Sequence, residues 1–151
     1  MNRRINDAAV ASLAVLMLIV VGGCATTPNS PTAVRDGVFV HIKSGPDHPH
    51  SVLMGLRMAQ MMSADRDALV YFDVEGIKNV LQDSPDLRME PFGSSRAMIE
   101  DLITRKVQVY ACPGCIKALG KSPEQLMPGV KVAERESFFT FTRGRILTLD
   151  Y

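Results

Sequence analysis

Apolar runs rich in β-branched residues recur along this chain, and stretches with helical spacing lie between them. Gly37-Val38-Phe39-Val40-His41-Ile42 is the first run and Ala68-Leu69-Val70-Tyr71-Phe72 the second. Val107-Gln108-Val109-Tyr110-Ala111 and Val130-Lys131-Val132-Ala133 follow. Runs of this length and composition read as buried strands. Val52 to Ser63 reads as a helix capped by Ser51, with Val52, Leu56, Ala59 and Met62 on one face. Ile77 to Leu81 starts a helix or turn, and Ser84 to Gly93, with two prolines, reads as a loop. Ser95 to Arg105 reads as a helix with Met98, Ile99 and Leu102 inward. A short helix to Leu119 stops at Gly120, and Ser122-Pro123-Glu124-Gln125 forms a capping box. Near the end, Phe139 to Thr142 and Ile146 to Leu149 both alternate, with Arg143-Gly144 between them. Periodicity alone gives a hairpin there. The rhythm of the chain favours a short helix and then a fifth strand. Such alternation predicts an α/β fold: one domain, with a mostly parallel sheet of about five strands covered on both faces.

Ahead of this domain lies a different kind of segment. Arg3 and Arg4 precede an uncharged apolar run from Ala8 to Val21, and Gly22-Gly23-Cys24 follows. A basic start, a short apolar core and small residues make the layout of a secretory signal. The run is short of the roughly 20 residues that a spanning helix needs, which weighs against a plain transmembrane anchor. Arg3-Arg4 fits a twin-arginine signal poorly. Val21-Gly22-Gly23-Cys24 resembles the lipobox of bacterial lipoproteins. That resemblance implies cleavage after residue 23, lipidation of Cys24 (palmitate included) and a membrane anchor. Ala25, in place of aspartate, implies the outer membrane of the cell envelope, facing the periplasm. Residues 24–36 are rich in Thr, Pro, Ser and Asn and read as a flexible tether; residues 37–151 form the domain.

Loss of residues 1–23 leaves 128 of 151 residues, enough for one core. Arg3, Arg4 and Asp7 leave with the leader, so 17 bases and 16 acids become 15 of each. A net charge of zero argues against nucleic acid or a polybasic membrane patch as partner. The chain has no tryptophan and 3 tyrosines, which argues against stacking surfaces for sugars or bases.

In an open α/β sheet, ligands bind beyond the carboxyl ends of the strands. Three loops meet there: Ser44 to His50, Asp73 to Gly76, and Cys112 to Cys115. Cys112 is placed between a strand end and a helix start, where free N–H groups lower a thiol's pKa. With Cys24 lipidated, Cys112 and Cys115 form the remaining pair, with redox Cys-x-x-Cys spacing. A small structural disulfide is the alternative. His48 and His50, beside Asp47, form a candidate zinc or copper site that the cysteines could join, or else a solvated loop. His41 reads as a packing histidine. Met54, Met58, Met61 and Met62 crowd one helix and read as core or subunit packing. Asp73 and Glu75 are weak signals, and no cofactor is implied.

Four stretches together resemble the DsrE/DsrF-like family, which includes sulfur-relay proteins. They are Val38 to Ile42 with its following helix, Leu69 to Ile77, Tyr110 to Gly120, and Met127 to Val130. The likeness spans Gly37 to Tyr151. It implies a compact three-layer α/β/α domain, assembly into homo-oligomers, and a cysteine that accepts sulfur as a persulfide. By position that cysteine is Cys112, with Cys115 as a resolving thiol and a protein sulfur donor or acceptor as partner. Export and tethering depart from the cytoplasmic sulfur-relay members. The alternative is a non-catalytic metal- or ligand-binding envelope lipoprotein using His48, His50 and the cysteines.

Overall fold

A computed structural model describes residues 34–151. The lipobox, Cys24 and most of the tether lie outside the described residues. Among the described residues no helix is long and apolar enough to cross a membrane.

The chain runs β1 (Gly37–Ile42), α1 (Pro49–Met62), β2 (Asp67–Phe72), a 3-10 turn (Val74–Asn79), β3 (Arg88–Met89), β4 (Gly93–Ser94) and α2 (Ser95–Thr104). It continues through β5 (Gln108–Ala111), α3 (Pro113–Ala118), a second 3-10 turn (Pro123–Gln125), β6 (Lys131–Val132), α4 (Ser137–Thr140) and β7 (Ile146–Asp150). Five strands form one sheet in the order β6-β5-β2-β1-β7, and every pairing in it is parallel. Helices flank this sheet, giving the three-layer α/β/α arrangement.

The register explains which residues make the core. Val40 lies opposite Val70, and Ile42 opposite Phe72. Val70 and Phe72 in turn face Val109 and Ala111. Side chains alternate along a strand, so all of these point to one face. There they join Val52, Leu53, Leu56 and Ala59 of α1 and Met98, Ile99 and Leu102 of α2 in one buried cluster. Full burial of such a side chain contributes roughly 1.5–3 kcal/mol.

Local sequence sets the element ends, with two departures from expectation. α1 starts at Pro49 rather than after Ser51, because proline suits the first helical position, where no N–H is needed. Ser51 sits inside the first turn, its hydroxyl 3.0 Å from that of Ser44. The segment after Ser84 is not wholly irregular: β3 and β4 pair as a small antiparallel ribbon. Elsewhere the expected signals operate. Gly120 ends α3 at φ +65, a backbone region that favours glycine. Gln125 reaches back to the Ser122 amide at 3.0 Å. The final segment forms a short helix and then a strand. β7 lies parallel to β1, held at its ends by Gly37 N–H to Arg145 O at 2.7 Å and Tyr151 N–H to His41 O at 2.8 Å.

Candidate thiol site

The alternation that buries Val40 and Ile42 turns Phe39 and His41 to the opposite face. Tyr71 on β2 lies opposite both His41 and Tyr110 of β5 and shares that face. Asp150 of β7, opposite His41, shares it too. Asp73 and Cys112 follow the last residues of β2 and β5, so the same count places them at this face's carboxyl edge. The connection directions reverse between β1 and β7, which makes that gap the switch point where such sheets place ligands.

His41 and Asp150 meet across this gap. The His41 Nδ1 lies 2.7 Å from Asp150 Oδ1, and Lys43 Nζ lies 3.4 Å from the same oxygen. On its other side His41 Nε2 lies 2.8 Å from Asp73 Oδ1. Neither of these two atoms, both buried, makes a hydrogen bond. The imidazole stacks on the Tyr71 ring, with centroids 5.6 Å apart and planes 28° apart. Phe138 of α4 meets Tyr71 edge-on at 5.0 Å. Cys112, two residues beyond Tyr110 on the same face, is the diagonal neighbour of Tyr71, and phenol and thiol shift each other's proton affinity.

Cys112 is the N-cap of α3, and its Sγ accepts the Cys115 N–H at 3.3 Å. The Cys115 Sγ accepts the Val74 N–H at 3.2 Å. Val74 has φ +46, an unfavourable conformation for a β-branched residue. The turn around it is fixed from two sides. A Cβ on Gly76 would overlap the Ile42 carbonyl oxygen. Asn79 Nδ2 donates to Ser44 O at 2.8 Å and to Gly76 O at 3.0 Å.

These contacts make the two thiols unequal. Burial pushes the Cys112 thiol up, but hydrogen bonds from Cys115, Tyr71 and the amides of Cys115 and Gly114 outweigh it. The thiol is left below its ordinary value. Cys115 moves the other way: burial and its hydrogen bond to Cys112 raise it, against the lowering effect of the Val74 amide. Burial and the hydrogen bond to Cys112 also push the Tyr71 phenol up. Of the two thiols, Cys112 is therefore the one that gives up its proton first. The cysteines are free thiols, each half-buried.

The structure thus brings Cys112, Cys115 and Asp73 together. Glu75 instead forms an ion pair with Lys78. His48 and His50 line a separate cavity of about 600 Å³ with Met54, Met89 and Tyr151, and no cysteine lines it. The His50 ring packs against Phe92 at 5.5 Å. Among the described residues no group of three or more His, Cys, Asp or Glu side chains is arranged to hold a metal.

Sequence reasoning missed His41, Tyr71, Val74 and Asp150. For two of them a signal was present. Once Val38, Val40 and Ile42 are inward, His41 must face outward, and the same count turns Tyr71 to the face of Tyr110 and Cys112. Nothing local showed that Asp150 would lie beside His41 or that the Val74 amide would reach a sulfur.

No family model and no curated protein matches this chain. Solved structures do match its fold. The YchN protein from E. coli is 19% identical with a TM-score of 0.58, over 77% of this chain and 99% of that one. MTH1491 from Methanobacterium thermoautotrophicum, a protein of unknown function, is 19% identical with a TM-score of 0.58, over 76% and 99%. Likeness at this identity establishes a shared fold and no activity.

Proposed function

We propose that this protein handles sulfur through Cys112, in the manner of a sulfur relay, with Cys115 as the resolving thiol. The carrying observation is the unequal pair. The Cys115 amide donates to the Cys112 sulfur, Tyr71 is its diagonal neighbour on the same face, and the Cys112 thiol is shifted down while that of Cys115 is shifted up. A thiolate is the nucleophilic form of cysteine.

In the proposed first step, the Cys112 thiolate attacks the outer sulfur of a persulfide, R–S–SH. A sulfur–sulfur bond forms at Cys112, the donor's bond breaks, and R–S⁻ departs. An acceptor thiolate then takes the outer sulfur and returns Cys112 to its thiolate. In the absence of an acceptor, deprotonated Cys115 attacks the inner sulfur. A Cys112–Cys115 disulfide forms, HS⁻ leaves, and an external dithiol must reduce the disulfide before the next cycle.

We further propose, from Val21 to Cys24 alone, that the domain is exported and held at the envelope by lipid on Cys24. Exposed Met54, Met61, Phe139, Ile146 and Leu147 support a surface for homo-oligomer packing. Intact-mass measurement on the mature protein tests the main readings together. Lipidation shows as cleavage before Cys24 with added acyl mass, lost in Cys24→Ala. After incubation with a persulfide donor, one sulfur should add to the reduced protein, mapping to Cys112 and absent in Cys112→Ser. Sulfur addition that survives Cys112→Ser would refute the assignment.

A further inference from the structure

We infer that His41 is a positioning residue for Cys112, acting through the Tyr71 ring. Its functional meaning rests on the thiol-handling reading above, but the geometry does not.

Tyr71 is the same-face diagonal neighbour of Cys112 at the end of the sheet, so the angle of its ring sets how its hydroxyl bears on that sulfur. Its ring is only half-buried, so the neighbours must fix its angle. Phe138 meets it edge-on at 5.0 Å, and Phe39 lies 6.1 Å away at a tilt. The one stacked neighbour is His41, at 5.6 Å and 28°. An apolar ring could fill that space equally well. His41 differs because carboxylates flank both of its nitrogens, one of them through a hydrogen bond. Asp73 Oδ1, just past β2, lies 2.8 Å from Nε2. Asp150 Oδ1, on β7, lies 2.7 Å from Nδ1, and Lys43 braces that carboxylate from β1 at 3.4 Å. Asp73 Oδ1 is buried and has no alternative partner.

The hydrogen bond to Asp150 restrains the imidazole in rotation, with Asp73 close on its other side, and the stacked Tyr71 ring takes its plane from it. The chain of influence runs from Asp73 and Asp150 to His41, to Tyr71, and then to the Cys112 sulfur. His41 makes no hydrogen bond to either sulfur, so its effect should vanish when the Tyr71 hydroxyl is removed.

A double-mutant cycle on the full chain tests this. The readout is the pH profile of iodoacetamide alkylation at Cys112, resolved by peptide mapping. Tyr71→Phe should raise the Cys112 midpoint by about one pH unit, slowing alkylation at pH 7 about tenfold. His41→Gln should slow it about three- to fivefold when Tyr71 is intact and leave it unchanged in the Tyr71→Phe background. Equal shifts in both backgrounds, or none in either, would overturn the inference. If His41→Gln does not fold, Asp150→Asn replaces it in the same cycle. That change leaves the ring in place but loosens its grip, and the same criterion applies. Alkylation needs no sulfur donor. Failed persulfide loading with a coupled cycle would therefore sink the relay reading alone. Successful loading with additive shifts would sink this inference alone.

Discussion

One face of the sheet carries Val38, Val40, Ile42, Val70, Phe72, Val109 and Ala111, all buried beneath α1 and α2. The other carries the fully buried Leu69 and the partly buried Phe39, His41, Tyr71 and Tyr110. The two sets come from the same strands and interleave residue by residue. The closed face stabilises by excluding water and has no polar side chain to orient. The second face is covered in part by Phe138 of α4, which packs on Phe39 and Tyr71. Its thiols are only half-buried and can reach a partner, although His41 Nε2 and Asp73 Oδ1 are buried. Stability and chemistry are therefore separated by the direction in which a side chain leaves the strand.

The largest test of that separation places the same substitution on each face. Phe72→Ala empties a fully buried site in the core and should destabilise by about 3–5 kcal/mol in denaturant unfolding. Phe39→Ala removes a half-buried ring from the other face and should cost about 1–2 kcal/mol. It should disturb Cys112 alkylation more than Phe72→Ala does, since Phe39 packs beside His41 and Tyr71. Equal costs at the two positions would mean that both faces are core, and the comparison would collapse.

The closed face was also the legible one. Val-x-Val-x-Ile and Val-x-Phe reveal strands because burial demands apolar residues at alternate positions. The same demand exposed the faces of α1 and α2, and the rhythm of strands and helices fixed the parallel sheet. Cys112 and Cys115 were legible as candidates from their spacing and their place after a strand. Their surroundings were not. His41 was read as packing because a lone histidine in an apolar run gives no sign of its partners. Those partners, Asp73 and Asp150, come from strands distant in sequence, and the order placing β7 beside β1 is a property of the whole fold. The histidines that stood out, His48 and His50, did so through local density alone, and the fold sends them to another cavity.

A middle-sized effect should appear where the two faces join, at the turn after β2. Gly76 lies under the Ile42 carbonyl with no room for a Cβ. Gly76→Ala must push the turn outward, at a cost of about 1–3 kcal/mol. The same shift should draw the Val74 amide away from Cys115 Sγ. Cys115 would then lose its one lowering contact and stay protonated to higher pH. With persulfide already on Cys112, sulfide release at pH 8 should slow severalfold, while loading of Cys112 changes little. Wild-type stability together with wild-type sulfide release would show that the turn does not hold Cys115.

The smallest effect lies at the exposed rim of the open face and is seen through pH. Hydrogen bonding from His41, and then Lys43, holds the Asp150 carboxyl below the usual aspartate range. A carboxyl whose folded pKa is depressed stabilises the fold above its unfolded pKa, about 3.9. That contribution is lost as pH falls through the lower, folded value. Asp150 is more than half exposed, so solvent screens the pair and the effect is slight. Asp150→Asn removes the titrating group but not the strand. Its urea midpoint should match or fall slightly below wild type at pH 6. Between pH 5 and pH 2.5 it should decline less steeply than wild type, because one fewer carboxylate takes up a proton on unfolding. Parallel curves for the two proteins would mean that His41 gains nothing from the Asp150 charge. The grip on the imidazole would then reduce to Asp73, and the open face would owe its order to ring packing alone.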